Sequence, residues 1–231
     1  MTTETDDTLL AAKTAVLDAA LAHVPFDGWS DTTLRAAIAA SGVEPGLARA
    51  LFPRGAVDLA LAFHRRGDDA MMAKLKATDL VAMRYRDRVA AAIRFRLESV
   101  TDKEVVRRGA TLFALPTHAA DGAKAIWGTA DAIWDALGDT SRDVNWYTKR
   151  ATLSAVYAAT VLFWLGDDSV GHQATWEFLD RRIEDVMRIE KAKAGLRNNP
   201  LSKALLTGPL KLMEAVKAPT VPDDLPGRFR F

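Results

Sequence analysis

DVNWYTKRATLSAVYAATVLFWL, residues 143 to 165, opens polar and aromatic and then carries no charge from Ala151 to Gly166. Leu153, Val156, Tyr157, Thr160, Val161 and Trp164 recur at helical spacing, and Ala155, Ala158, Ala159, Leu162 and Phe163 cover the other faces. A helix that reserves no face for water is a buried one. A membrane span takes about 20 apolar residues; this run is shorter, contains hydroxyl side chains, and is fenced by Lys149 and Arg150 before it and Asp167 and Asp168 after it. It is therefore a core helix. Trp146 and Tyr147 stand side by side at its entrance, among Asp143, Asn145, Lys149 and Arg150. Successive helical residues diverge by about 100°, so one of the two rings is expected at the surface, where interface anchors stand.

Outward from this helix the patterning stays helical on both sides. After the GDDSVG turn, a helix from His172 to about Lys193 faces Trp176, Leu179, Ile183 and Val186 inward. Before it, Ile126, Trp127, Ala130, Ile133, Trp134 and Leu137 form a stripe of period near 3.6 that Gly138 closes. A helix from Lys103 to Leu115 ends at Pro116. Another runs from Asp79 to Val100 with Leu80, Met83, Val89, Ile93 and Leu97 on one side, its arginines, Arg96 included, solvating the rest. Gly55 opens a helix through Leu61 and Phe63 to Leu75, with His64 and the arginines after it read as surface groups. The fold class is all-α: a bundle of about nine helices and a further C-terminal amphipathic helix.

Residues 1–54 have the plan of a helix-turn-helix. A helix begins near Asp7 or Thr8, Ser30 or Asp31 caps a second through Leu34 and Ile38, Gly42 supplies a left-handed stop, and Pro45 starts a short third. At this level the chain resembles the TetR family of repressors. The reading surface has the wrong chemistry, however. From Leu47 to Phe52 it offers Leu, Ala, Arg, Ala, Leu and Phe, where base edges and phosphates demand amides, hydroxyls and several cations. Residues 30 to 54 carry Arg35, Arg49 and Arg54 against Asp31 and Glu44, too few for useful counterion release. No nucleic-acid partner is expected, and a ligand-responsive TetR-type repressor is the alternative reading.

Composition narrows the classes further. The 231 residues are 49% hydrophobic and 26% charged, with a net charge of +1, an ordinary globular balance that implies no polyanionic partner. There is no cysteine, and His23, His64, His118 and His172 lie on separate segments, so no metal site, cofactor or thiol nucleophile is expected. Without a Gly-rich phosphate loop or an activated nucleophile pattern, no catalytic residue is assigned and an enzyme is not expected. The acidic start, MTTETDDT, has neither signal nor transit character, so the expected location is the bacterial cytoplasm.

The last segment reads separately. Gly195, Asn198, Asn199 and Pro200 form a hinge. Beyond it Leu201, Leu205, Leu206, Leu212, Met213 and Val216 share one helical arc, with Lys203, Lys211 and Lys217 on the opposite side. From Lys191 to Lys217 six cations face the single Glu214, the pattern of a helix that lies on a membrane surface. Gly208 and Pro209 kink or split it, and residues 219–231 read as an extended tail.

Three stretches together are similar to the ninth COQ protein family, lipid-binding accessory factors of coenzyme Q (ubiquinone) biosynthesis found in mitochondria and some bacteria. They are FPRGAVDLALAFHRRGD, ALP near residue 115, and NWYTKRA followed by TWEFLDRRI. The resemblance spans about Phe26 to Lys193. It implies a TetR-like fold that has lost DNA reading, with residues 55–194 enclosing an apolar site for an isoprenoid lipid or quinone precursor. It also implies presentation to a di-iron ring hydroxylase through Asp143, Asn145, Trp146, Tyr147 and Arg150, with Leu115 and Pro116 nearby. A terminal helix over 195–218 would hold the protein peripherally on the inner face of the cytoplasmic membrane, and pairing as a homodimer is expected. Phe95, Trp127, Tyr157, Val161 and Trp164 are the residues singled out to line the lipid site, although the sequence leaves open whether they enclose a cavity or close into solid core.

Overall fold

The computed structural model describes residues 2–198 of the chain, with side-chain surroundings for residues 6–189. Ten α-helices follow one another: α1 (Thr2–Leu21), α2 (Val24–Asp27), α3 (Asp31–Ser41), α4 (Pro45–Leu51), α5 (Ala56–Ala77), α6 (Tyr85–Glu98), α7 (Lys103–Ala114), α8 (Ala119–Ala136), α9 (Val144–Leu165) and α10 (Gln173–Asn198), with a single 3₁₀ turn at Val170–His172. Among the described residues there is no strand, and no helix is long and apolar enough to cross a membrane.

Helix ends sit where side chains satisfy the orphan backbone donors. Ser30 accepts from the Thr33 N–H at 3.2 Å, and Gly42 stops α3 in the left-handed region at φ 70°. Glu44 accepts from Leu47 at 2.6 Å, Asp102 from Glu104 at 2.8 Å and Asp143 from Asn145 at 3.0 Å. Asp167 takes the N–H groups of Ser169 and Thr175, which joins the end of α9 to the start of α10. Hydrogen bonds from the Ser169 and Thr175 side chains, with these N–H groups adding to them, hold its carboxyl well below the usual range. Two starts differ from expectation. α1 begins at Thr2, ahead of Asp7. α6 begins at Tyr85, not Asp79, because the Asp79 carboxylate captures the Val81 N–H at 3.0 Å and Arg88 holds the Met83 carbonyl at 3.0 Å; such side-chain bonds compete with the helix ladder.

The buried side chains form two clusters. Val16, Ala20, Val24, Trp29, Phe52 and Leu59 close the N-terminal helices over the first half of α5. Met71, Leu75, Ile93, Leu97, Ile133, Leu153, Trp164 and Leu179 fill the space among the second half of α5 and α6, α8, α9 and α10. α5 belongs to both clusters, and α9 runs between α8 and α10 with Leu153, Val156, Trp164 and Leu165 buried; its other side, at Ala151, Ala155, Leu162 and Phe163, is exposed, which corrects the expectation of a helix with no face for water. In the helix-turn-helix portion, α4 presents Arg49 to solvent, while the Arg54 guanidinium is tied to Asp58 and Asp121, each at 2.9 Å.

Candidate functional site

α5, α6, α7, α8 and α9 leave an apolar cavity of about 400 Å³ between them, within the size range of small-molecule sites. Small residues on α7 and α8 help to leave it open. Val106, Gly109, Ala110 and Phe113 lie one helical turn apart on α7, as Ala119, Gly122, Ala123 and Ile126 do on α8. Gly122 is needed for this approach, since a Cβ there would stand 2.7 Å from the Cβ of Phe113. Tyr157, Ala158, Val161 and Leu162 complete the wall from α9. One end is deeply buried, at Trp29, Ala60, Arg96, Leu97, Val105 and Tyr157. Toward the other end Ala114, Ala119, Ala123 and Leu162 are exposed and mark the mouth.

A polar cluster backs the inner end. Arg96 is buried, its Nε donating to Asp68 at 2.7 Å and its Nη2 to the His64 carbonyl at 3.0 Å. Thr129 donates to the same Asp68 carboxylate at 2.9 Å and lies 2.8 Å from His64 Nε2, which also meets the Ala125 carbonyl at 3.1 Å. Burial depresses the His64 pKa, only partly offset by Asp68, so the imidazole is neutral near pH 7. The expectation that His64 and Arg96 are solvated is thus corrected. Gly67 makes the burial possible, because a Cβ at that position would lie 2.3 Å from the Arg96 guanidinium, and a paired charge tolerates burial where a lone one does not.

Of the five side chains singled out for the lipid site, Tyr157 and Val161 line this cavity and the other three do not. Phe95 packs against the second core with Lys74 over its ring. Trp164 is buried, between Lys103 and His172. Trp127 turns outward to meet Trp146 at a ring separation of 5.9 Å. Sequence reading looked for the cavity among bulky aromatics. A further signal was alanine and glycine at spacings of three and four in α7 and α8, because space is left where side chains are short.

The entrance of α9 carries the second constellation. Trp146 is half-buried, Tyr147 is exposed and meets it edge-on at 4.8 Å, and Trp127 extends the group onto α8. Asp143 caps the helix and accepts from the Asn145 amide at 2.9 Å. Leu115 and Pro116 are exposed directly after Ala114 at the cavity mouth, and Trp127 adjoins Ile126 of the cavity wall. Arg150, expected on the partner-facing surface, is instead 1% exposed. Its guanidinium lies beneath the Trp146 ring, 4.1 Å from the centroid, and pairs with Asp131, Asp135 and Asp139. Its planar fork meets three carboxylates at once, an arrangement that draws the side chain inward. Burial works against the charged form of Asp139, but hydrogen bonds from Lys149, Ser141 and Arg150 outweigh it and bring that carboxyl down to about 2. Among the described residues, no cluster of His, Asp or Glu is disposed to hold a metal ion. The expected membrane-binding residues, Leu201 to Lys217, lie outside the described residues.

A protein-family model described as COQ9 matches residues 119–190. The ubiquinone biosynthesis protein coq9, mitochondrial, of Schizosaccharomyces pombe is 32% identical over 192 residues, which cover 82% of this chain and 74% of that protein. The chain belongs to the COQ9 family. Its likeness to the Drosophila melanogaster member, ubiquinone biosynthesis protein COQ9, mitochondrial, is 32% over 185 residues, or 78% of this chain and 56% of the relative. For the Dictyostelium discoideum protein, named a probable ubiquinone biosynthesis protein coq9, mitochondrial, it is 30%, with 78% and 61% covered. The chain thus spans little more than half the length of these two COQ9 proteins. All three are named as biosynthesis proteins and not by an enzymatic activity. They are mitochondrial proteins of eukaryotes by name, which corrects the expected placement in a bacterial cytoplasm on the inner face of its membrane. The fold of this COQ9 member is TetR-like: a TetR transcriptional regulator from Nitrosomonas europaea superposes with a TM-score of 0.61 at 20% identity, covering 74% of this chain and 95% of the regulator.

Proposed function

We propose that this COQ9-family chain acts in ubiquinone biosynthesis as a non-enzymatic accessory protein: its cavity takes up an isoprenoid quinone precursor, and the aromatic surface beside the mouth presents that precursor to the pathway's di-iron ring hydroxylase. The observation that carries the reading is the apolar cavity itself, which small residues on α7 and α8 help to leave open. Each methylene of a prenyl chain that it shelters from water contributes about 0.8 kcal/mol. Continuity supports the partner half of the reading. Leu115 follows the mouth residue Ala114, and Trp127, Trp146 and Tyr147 extend from the α8 wall. Arg150 belongs to this surface only indirectly, as the buried support of Trp146. The basic amphipathic stretch from Leu201 to Lys217 fits a membrane-surface role that would bring the mouth near the bilayer where such lipids reside.

Native mass spectrometry of protein extracted gently from cells tests the uptake. Isoprenoid or quinone-precursor adducts are expected; a protein that arrives empty and stays empty on incubation with prenylated quinone precursors overturns the reading. For the partner surface, Tyr147→Ala is expected to keep the thermal midpoint and to weaken capture of the hydroxylase, and unchanged capture removes that assignment.

A further inference from the structure

Tyr157 presents an unusual polar group at the buried end of the cavity. The residue is 4% exposed, yet its hydroxyl makes no hydrogen bond with any described residue. Among the described residues, the polar side-chain atoms sealed by protein without a partner are Trp134 Nε1 and Ser154 Oγ. The Tyr157 oxygen is not among them, so it borders the open space that its ring lines. Buried hydroxyls in folded proteins find partners, and here the protein supplies none. Of the neighbouring polar groups, Arg96 gives Nε to Asp68 and Nη2 to the His64 carbonyl, and His64 Nε2 meets Thr129 and Ala125. Every other surface of the cavity near Tyr157 is aliphatic or aromatic, including Leu97, Val105, Ala158 and Val161. A guest matched to these walls is apolar over most of its length and carries an oxygen at its inner end. The free hydroxyl can donate to a ring carbonyl or phenolate oxygen, or accept from a phenol.

We propose that Tyr157 anchors the ligand, its hydroxyl bonding an oxygen on the ligand's aromatic or quinonoid ring, so that the lipid lies ring-inward with its prenyl chain running toward Ala119 and Leu162. The proposal rests on the cavity being a lipid site, and it adds which residue selects the ligand and which way round the ligand sits. Tyr157 touches the ligand in this scheme but performs no chemistry on it. The structural part of its role, filling space between Arg96 and the α9 wall, is one that Phe would fulfil equally.

A matched pair of probes tests it: 2-geranylphenol and geranylbenzene, which differ by the one hydroxyl, titrated into the full chain by intrinsic fluorescence or calorimetry. The wild-type protein is expected to prefer the phenol by roughly tenfold, the scale of one hydrogen bond in an apolar site. Tyr157→Phe is expected to abolish that preference by lowering phenol affinity alone, while leaving geranylbenzene affinity and the thermal midpoint unchanged. Equal affinity of the wild-type protein for the two probes overturns the anchor while leaving the lipid cavity standing. Retention of the full preference by Tyr157→Phe does the same. Binding of neither probe defeats the lipid-site reading itself and this inference with it. If the variant did not fold, a space-filling role that Phe cannot meet would be revealed, and the proposal would be overturned on that ground.

Discussion

Arg150 sits where sequence alone points to a partner contact, and its surroundings redirect its role inward. One guanidinium answers Asp131, Asp135 and Asp139 while its face supports Trp146. Removing a partner from a buried ionic cluster leaves uncompensated charge, commonly costing 3–5 kcal/mol. Asp131 and Asp135 are partly exposed here, so we expect Arg150→Ala to cost roughly 3 kcal/mol, a fall of about 6–12 °C in thermal midpoint for a chain of this size. Arg150→Lys should recover little, because an ammonium cannot span three carboxylates. A thermal scan in which Arg150→Ala melts with the wild type would return this residue to the surface. Asp139 adds a pH signature. Its folded pKa of about 2 lies below the unfolded value of about 3.9. The stabilisation is fully present above the unfolded value and is lost as pH falls through the folded one. Acid titration should therefore show about 2 kcal/mol disappearing between about pH 4 and 2, and Asp139→Asn, less stable at neutral pH, should lack that part of the slope.

At the scale of elements, the packing of α7 on α8 decides how much space the molecule encloses. Gly122 lets α8 approach the Phe113 side of α7, and the alanines around it keep the gap open. Two substitutions separate packing from capacity. Gly122→Ala drives a Cβ into the stem of Phe113, a contact no rotamer change relieves, and is expected to destabilise by about 1–3 kcal/mol. Ala158→Leu projects into vacant space, so its thermal midpoint should hold or rise while lipid uptake falls several-fold. Denaturant melts paired with lipid-loading assays measure both. Ala158→Leu protein that loads lipid like the wild type would mean that this space is not where the ligand lies.

For the whole molecule, the frame is TetR-like. The N-terminal helices retain their own core, but α4 is poor in donors and Arg54 is committed to Asp58 and Asp121, a bridge between α5 and α8. The body through Glu190, acidic on balance with 23 cations against 27 acids, contrasts with the cationic stretch that follows it in sequence. We expect a chain ending at Asn198 to float with anionic liposomes several-fold less than the full chain, and less steeply with falling salt, as loss of a basic amphipathic segment entails. Equal flotation of the two would assign membrane attachment, if any, to the body.

The sequence by itself determined the all-α class, the helical course of α9, the helix stops at Gly42 and Pro116, and the family, because local periodicity, capping residues and motif spacing are properties of neighbouring positions. It also placed Trp146 and Tyr147 at a helix entrance with one ring outward, since helical geometry forbids both from facing in. Only the tertiary structure decided that Arg150 and Arg96 are buried, that Trp127 joins the surface aromatics, and that the α7 and α8 walls of the cavity carry alanine and glycine among larger apolar side chains. Each of these depends on what stands opposite: three aspartates from the end of α8 and the turn beyond it, a missing Cβ at Gly67, short side chains on a facing helix. A single chain segment carries no record of its opposite number, and so burial of charge and the enclosure of empty space become legible only once the helices have met.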